Sequence, residues 1–338
     1  MPQGAHLVGS VPLGSAEEVL STAARIMGTH LRRLPDGETG ARANWIACQL
    51  AVFQQVPELE SEVVDIGYLK RAKFRLKRAS SSAAFPTLGY GAAALESYAA
   101  FRRLKERGVI AADARFQVAL PTPLAPIHAY VFRESQQALL PAYESRMRAE
   151  LEQILEGVPA AQLAVQWDTA IEFAVLEGVM PTFFDTPEAE ILEKLLSYGG
   201  WVPAGVELGY HLCYGDSGHK HFKEPADASW LVRVANALAA RLPRALDWLH
   251  LPVPRERFDD AYYAPLRALK LDPRTELYLG LVHMSDGAQG TRRRIEAARR
   301  HFERFGVATE CGFGRRPADS IVPLMQVHTA VSQPLGRS

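Results

Sequence analysis

Residues 206–214 have the sequence VELGYHLCY, a mainly apolar run that predicts a buried β-strand ending in a histidine and a cysteine. A pattern typical of an amphipathic helix follows at 229–242. The same alternation of short aliphatic runs with helical patterns recurs along the chain. The predicted strands are residues 6–12, 31–37, 116–120, 163–167, 206–214, 248–251, 277–282 and 307–311.

Helical patterns lie between these strands. The longest are residues 137–157, 186–198, 229–242 and 291–305, and Ser15 is a suitable N-cap for an earlier helix. Alternating strands and helices predict parallel strands joined by right-handed crossovers. Eight such units predict an α/β fold, a closed (β/α)8 TIM barrel. Residues 44–112 are too many for one crossover, so we predict an insertion after strand 2 within a single barrel domain of 1–338.

Composition narrows the class of protein. The 338 residues include 38 Lys and Arg against 38 Asp and Glu, so the formal net charge is zero. Neutrality argues against bulk binding of nucleic acid or an anionic membrane, and no run of about 18 apolar residues predicts a membrane-spanning helix. The start of the chain, MPQGAHLVGSVPLG, lacks the features of a secretory signal, and three scattered cysteines do not predict a disulfide framework. We therefore expect a cytoplasmic protein.

Polar, chemically capable residues recur where the predicted strands end. In barrels of this kind the catalytic residues lie at the carboxyl ends of the strands. Convergence at almost every strand end therefore predicts a functional site at that rim. The residues concerned are Ser10, Glu38, Thr122, Asp168, His211, Cys213, His250, His283 and Cys311.

His211 and Cys213 form an H-x-C pair at the end of one strand. Residues i and i+2 of a strand point to the same side, so an imidazole and a thiolate can reach one metal ion. Cys311 ends the last predicted strand and offers a second thiolate. Because sulfur and nitrogen ligands favour zinc, these three residues predict a site for one Zn²⁺. The alternative is that they only pack at strand ends.

The fourth zinc ligand has several candidates. His250, in WLHLPVP, ends the strand next to the H-x-C strand and is our choice, with a rim histidine held by hydrogen bonds as the simpler explanation. His219 and His221, in GDSGHKHF, are rivals. A site with no fourth protein ligand would leave a coordination position for substrate.

The remaining strand ends predict substrate contacts. His283, in LVHMSDG, suits proton transfer near neutral pH. Asp168 and Glu38 are carboxylates that suit a substrate ammonium, and we count Asp168 with His283 among the catalytic residues. Gly9 and Ser10 offer backbone amides and a hydroxyl to a substrate carboxylate.

Simpler explanations apply to other features. An ion pair with Arg42 would account for Glu38 without a substrate. The basic run KRAKFRLKR at 70–78 is typical of a solvated face, although it could bind an anionic tail. Cys48, in NWIACQLAVF, suits a small buried hydrophobe.

Taken together, these residues resemble a known family, the catalytic barrel of cobalamin-independent methionine synthase, within the superfamily that includes the uroporphyrinogen decarboxylases. The resemblance extends over most of the chain and rests on six short motifs in a common order. They are VGSVP at 8–12, DGE with Glu38, QWDTA with Asp168, the His211/Cys213 pair, VHMSD with His283, and Glu310-Cys311-Gly312.

The resemblance implies a zinc-activated thiolate that attacks an electrophilic methyl group. In methionine synthase the thiol is homocysteine and the donor is a methylated folate. This chain resembles the short single-barrel form, because the duplicated N-terminal barrel of the long enzymes has no counterpart in it. The family's glutamate ligand on strand six is replaced, with His250 at about that place, and its Glu-Pro after the strand-four aspartate is Thr169-Ala170.

Three functions follow for testing. The leading one is a zinc-dependent methyl- or alkyltransferase that holds a small thiol such as homocysteine as a zinc-bound thiolate. The second is a decarboxylase or lyase that uses the carboxylates and histidines of the same barrel for acid–base chemistry. The third is a non-catalytic zinc- or ligand-binding protein. The expected partners are a small-molecule thiol and a methyl donor, with no nucleic acid and no membrane, and a homo-oligomer is left open.

Overall fold

The protein is built on one curled, parallel sheet of seven strands. The structure is a computed structural model that describes residues 1–65, 70–78, 83–216 and 220–336. The sheet strands, in spatial as well as chain order, are β1 (Arg33–Pro35), β4 (Arg115–Pro121), β5 (Leu163–Thr169), β6 (Glu207–Leu212), β7 (Trp248–Pro252), β8 (Glu276–Val282) and β9 (Gly306–Thr309). A separate antiparallel hairpin consists of β2 (Leu59–Asp65) and β3 (Lys70–Leu76).

Each sheet strand pairs in parallel with the next one along the chain. Parallel neighbours need crossovers, and helices on the outer face supply them. The strands are buried on both faces, and β5 is buried at all seven positions, which explains the near-continuous apolar runs in the sequence. The predicted α/β fold with parallel strands is therefore confirmed, with seven of the eight predicted strands in the ladder.

The remaining predicted strand, residues 6–12, is the first along the chain. It is not a strand of this sheet but lies between the two edges of the sheet. On one side the His6 amide donates to the Val307 carbonyl at 2.9 Å. On the other side the Val11 amide donates to the Gly37 carbonyl at 2.8 Å, and Ser10 forms a parallel bridge with Gly37. The segment thus contacts β9 on one side and, on the other, Gly37, which lies two residues beyond the end of β1, through isolated bonds.

The helices follow the predicted pattern, with some boundaries shifted by a few residues. Ser15 caps α1 (Ala16–Met27) by accepting a hydrogen bond from the Glu18 amide, and α3 (Tyr90–Glu106) packs against both α1 and α5 (Arg133–Gly157). The helices are α1 (Ala16–Met27), α2 (Gln49–Gln54), α3 (Tyr90–Glu106), α4 (Leu124–Tyr130), α5 (Arg133–Gly157), α6 (Ile171–Leu176), α7 (Pro187–Gly200), α8 (Ser229–Arg241), α9 (Asp260–Tyr263), α10 (Gly287–Arg299) and α11 (Ile321–Val331).

The insertion that we predicted after the second predicted strand, which is β1 in the structure, contains α2 and the β2–β3 hairpin. Both precede α3. The hairpin rests on the chain after α4, where the Phe132 amide donates to the Phe74 carbonyl at 2.8 Å. None of the helices in the described part of the chain combines the length and the apolar character that a bilayer crossing requires.

The amino ends of the strands are closed by a buried arginine. Arg33, only 3% exposed, pairs with Glu207 at 2.5 Å and with Glu276 at 2.7 Å, and its guanidinium lies 4.1 Å from the ring centroid of Trp248. The opposite rim, at the carboxyl ends, carries the polar residues that the sequence singled out.

Candidate metal centre and substrate site

Three predicted metal ligands meet at the carboxyl ends of the strands. The donor atoms of His211, Cys213 and Cys311 all lie within 4.8 Å of one another, and the two Sγ atoms are 3.9 Å apart. His211 belongs to β6, Cys213 follows directly after it, and Cys311 lies two residues beyond β9. The sequence prediction that these residues come together is therefore met by the structure.

Two threonines fix the backbone that carries these side chains. The Thr169 hydroxyl donates to the His211 carbonyl at 3.0 Å, and the Thr169 carbonyl accepts from the Cys213 amide at 3.2 Å. The Thr309 hydroxyl donates to the Cys311 carbonyl at 2.6 Å. Thr169 thus anchors the segment that carries His211 and Cys213, and Thr309 anchors Cys311.

The His211 ring has one nitrogen engaged and one free. Its Nδ1 lies 2.6 Å from Nδ1 of His250, the residue beside it in the β6–β7 register. Its Nε2 is buried and has no hydrogen-bond partner in the described structure. A buried polar atom without a partner is costly, so this nitrogen is the one that a metal ion would satisfy.

His250, the sequence choice for a fourth ligand, lies behind His211 rather than among the three donors. Its Nε2 is 2.9 Å from the Thr309 carbonyl, so both of its ring nitrogens have partners. Burial lowers the pKa of His250 to about 3, so the ring is neutral at pH 7. This placement does not support His250 as a ligand.

The rival histidines lie elsewhere. His221 is buried, with Nε2 at 3.4 Å from Glu310 and Nδ1 at 3.3 Å from Glu224. It is not part of the three-residue donor group. His219 lies outside the described residues, so its candidacy as a ligand is untested.

The donor set fits zinc. Two sulfurs and one imidazole nitrogen are soft and borderline ligands, and a set of three leaves one tetrahedral position open. The hydrogen bond from Cys213 and burial raise the pKa of Cys311 well above the usual thiol range. A bound cation reverses this preference because a coordinating thiol loses its proton.

Two predicted substrate carboxylates are buried near this rim. Burial raises the pKa of Glu38 to about 7, with Arg42 opposing the rise and Asp36 adding to it. Burial also raises the pKa of Asp168 well above its usual range, and the Glu38 carboxylate adds to that rise. Arg42 pairs with Asp36 at 2.6 Å, so the ion pair expected for Glu38 goes to its neighbour instead. Two such carboxyls favour a cationic ligand.

The segment around Ser10 forms another side of the candidate substrate site. The Ser10 carbonyl accepts from the Phe313 amide at 2.7 Å, and the Ser10 hydroxyl accepts from the Gly314 amide at 3.2 Å. A cavity of about 340 Å³ opens beside it. A Cβ added at Gly9 would lie 3.3 Å from the Glu38 carboxylate, so the backbone of Gly9 lies close to that carboxyl group.

His283 lies near Glu310, the residue that precedes the candidate ligand Cys311. Its Nε2 donates to the Val253 carbonyl at 2.9 Å, and its Nδ1 is 3.7 Å from the Glu310 carboxylate, one residue before Cys311. Burial lowers the pKa of His283 to about 4, with Glu310 opposing. The imidazole is therefore neutral at pH 7, with its free nitrogen beside an acid.

Two residues of the site were not singled out by the sequence. Gln166 donates to the Asp168 carboxylate at 2.9 Å. The Thr309 carbonyl holds His250. Gln166 lies two residues before Asp168 on the same strand, so the period of two is a signal that could have identified it. A backbone carbonyl leaves no such signal.

Fold and site together define an α/β protein with a candidate metal centre of two sulfurs and one imidazole at the carboxyl rim of its curled sheet. A B12-independent methionine synthase from Shewanella sp. W3-18-1, solved in complex with selenomethionine, is similar in structure, with TM-score 0.63 and 13% identity over 97% of this chain and 96% of that one. The expected resemblance is thus confirmed at the level of the fold.

Two further structures are similar. A protein assigned as a vitamin-B12-independent methionine synthase from Listeria monocytogenes has TM-score 0.56 and 13% identity, over 94% of this chain and 85% of that one. A methyltransferase from Methanosarcina mazei has TM-score 0.53 and 11% identity, over 96% of this chain and 94% of that one. No protein-family model matches the chain, and the curated proteins gave no significant match.

Proposed function

We propose that the protein is a zinc-dependent methyltransferase that acts on the sulfur of a small thiol. Two observations carry the proposal: the donor atoms of His211, Cys213 and Cys311 lie together, and Nε2 of His211 is buried without a hydrogen-bond partner in the described structure. The similar folds of two methionine synthases and a methyltransferase support the same class of reaction. Because the Shewanella protein was solved with selenomethionine, homocysteine is the first thiol to test.

In this proposal His211, Cys213 and Cys311 hold one Zn²⁺. When bound there, zinc would keep the sulfur of a substrate as a thiolate, which makes it a nucleophile near neutral pH. The chain supplies two thiolates, which balance the charge of the ion. A fourth protein ligand would close the site, as the non-catalytic alternative requires, and the engaged nitrogens of His250 argue against that.

The ammonium and carboxylate groups of the substrate are assigned to residues outside the metal-ligand group. Glu38 and Asp168 would bind an ammonium group, whose positive charge favours the ionised forms that burial disfavours. Gly9 and Ser10 would meet the carboxylate. A small amino acid with a thiol side chain satisfies both ends, and homocysteine has that pattern.

His283 is proposed to move the proton of the thiol. Its Nε2 donates to a carbonyl, so Nδ1 carries the lone pair that can accept a proton. A proton on that nitrogen lies beside the Glu310 carboxylate, which stabilises it. Asp168 keeps the substrate in place while this happens.

We also propose that the fold is a (β/α)8 barrel in a single domain, with residues 6–12 as its first strand. The hydrogen bonds of that segment to both edges of the sheet support closure. The cytoplasm is the expected compartment, because its reducing environment keeps Cys213 and Cys311, 3.9 Å apart, from forming a disulfide.

The test is methionine formation by the zinc-loaded protein from L-homocysteine and 5-methyltetrahydrofolate, with methyl iodide as a donor that needs no binding site. We expect Cys311→Ser to lower the rate at least about 100-fold with either donor, on the order of the loss of a central catalytic group. Cys48→Ser is the matched control. Its thiol contacts the Trp45 carbonyl and the Gln49 amide, far along the chain from the cluster, and it should retain the rate.

Equal rates for Cys311→Ser and the wild type would contradict the proposal. So would an activity that survives complete chelation of the metal, which the decarboxylase or lyase alternative predicts. A zinc-loaded wild type that methylates homocysteine no faster than free zinc with either donor would also exclude thiol activation.

A further inference from the structure

The hydrogen-bond partners of His250 fix the proton positions of two histidine rings. A backbone carbonyl only accepts, so the Thr309 carbonyl requires a proton on Nε2 of His250. A neutral imidazole carries one proton, so Nδ1 of His250 is an acceptor. The nitrogen facing it at 2.6 Å, Nδ1 of His211, must then donate. The lone pair of His211 is left on Nε2, the buried atom that lacks a partner.

We propose that His250 is a positioning residue for the metal ligand His211, and not itself a ligand. It fixes the tautomer and the orientation of the His211 ring so that Nε2 faces the two cysteines. This inference rests on the proposed metal site and assigns one of its parts. Ligating histidines commonly donate their other nitrogen to a carboxylate, carbonyl or water, whereas here the acceptor is a second, neutral imidazole.

The same chain of bonds joins the two halves of the site. His211 comes from β6, His250 from β7, and Thr309 from the end of β9. Thr309 holds His250 through its carbonyl and the Cys311 carbonyl through its hydroxyl. One residue thereby sets the position of the imidazole ligand and of a sulfur ligand that lies 98 residues from Cys213.

His250 stands at about the place where the family that this chain resembles has a glutamate ligand. A glutamate ligand at about this place would add a negative charge and a fourth bond to the metal. A neutral imidazole in the layer behind His211 adds neither. The site keeps two thiolates, one imidazole and one open position, so a substrate sulfur need not displace a protein side chain.

Two substitutions separate positioning from ligation. His250→Phe keeps a ring but removes the acceptor, which leaves Nδ1–H of His211 without a partner. His250→Asn restores an acceptor oxygen at the same number of bonds from the backbone as Nδ1. With zinc affinity measured by chelator competition, we expect His250→Phe to weaken binding about 10- to 100-fold, as for other outer-layer partners. We expect His250→Asn to recover most of it.

His128→Phe is the matched control, because His128 is also buried and has both ring nitrogens engaged, by the Leu124 carbonyl and the Thr182 hydroxyl. It should bind zinc like the wild type. If His250→Asn loses zinc as completely as Cys311→Ser, His250 is a ligand and the inference is wrong. If folded His250→Phe binds zinc as tightly as the wild type, His250 has no role.

A second measurement needs no variant. In the zinc-loaded wild type with ¹⁵N-labelled histidine, long-range ¹⁵N–¹H correlation reports which nitrogen of each ring carries a proton. We expect His211 protonated on Nδ1 and His250 protonated on Nε2. A metal-shifted nitrogen on His250 would overturn the inference while leaving the proposed function intact, whereas a wild type that binds no zinc would overturn both.

Discussion

The side chain of Gln166 makes four hydrogen bonds inside the curled sheet. Its carbonyl accepts from Nε2 of His6 at 2.8 Å and from the indole of Trp248 at 3.3 Å. Its amide donates to the Val8 carbonyl at 2.6 Å and to the Asp168 carboxylate at 2.9 Å. Because an indole only donates, the amide cannot flip. Asp168 is therefore held through one of its carboxylate oxygens.

Glu172 is a buried carboxyl group of a different kind. One of its oxygens accepts from the Thr122 hydroxyl, and the other has no hydrogen-bond partner in the described structure. Burial raises its pKa from 4.5 to about 7, with the Thr122 hydrogen bond opposing. Below pH 4.5 the group is protonated in both the folded and the unfolded chain. As the pH rises toward 7 only the unfolded chain loses the proton, so stability falls.

Glu172→Gln should remove this loss, because an amide keeps an acceptor for Thr122 and does not ionise. We expect the free energy of unfolding of the variant, minus that of the wild type, to rise by up to about 3 kcal/mol between pH 5 and pH 8.5. Urea unfolding at the two pH values measures the difference. Glu296→Gln, an exposed position of α10, is the control. A wild type and a Glu172→Gln variant with the same pH dependence would show that Glu172 ionises normally.

At the scale of elements, sequence periodicity was sufficient for seven of the eight predicted strands and insufficient for residues 6–12. The reason lies in neighbouring side chains. The Leu7 and Val8 carbonyls accept from the Gln117 side chain, and Val8 also accepts from Gln166. These carbonyls thus accept from side chains, and the segment forms isolated bridges with its neighbours rather than a continuous ladder. Long-range side-chain bonds of this kind leave no local signal.

Hydrogen exchange tests the placement of this segment. The amides of His6 and Val11 donate to the two edges of the sheet, so we expect them to exchange as slowly as the amides of β4. Strand β2, which is exposed at most of its positions, provides the internal comparison and should exchange much faster. Exchange of His6 and Val11 at the rates of β2 would show that the segment does not join β9 to the chain just after β1.

The site was predicted as far as strand ends can predict it. The period of two along a strand predicted that His211 and Cys213 point to the same side. The position of Cys311 at the end of another strand predicted that it lies at the same rim. The role of His250 was beyond that reasoning. It depends on the register that sets His211 beside His250, and on which carbonyl its second nitrogen meets. His283 reached the expected rim, but its partner Glu310 emerged only from the structure.

At the scale of the whole molecule, the candidate ligands come from segments that only the completed fold unites. Cys213 and Cys311 are 98 residues apart in the chain and 3.9 Å apart in space. An unfolded chain does not present these donors together, so zinc binding should stabilise the folded state, by about 4 kcal/mol at a free zinc concentration of a thousand times Kd. We therefore expect metal binding and folding to be linked.

The most direct test is X-ray absorption at the zinc edge of the zinc-loaded protein, before and after addition of L-homocysteine. Zinc coordination of the substrate thiol predicts two sulfur ligands per zinc in the free protein and three with the thiol bound, at Zn–S distances of about 2.3 Å. A sulfur count that stays at two with saturating homocysteine, or a free protein whose zinc has no sulfur ligands, would contradict it.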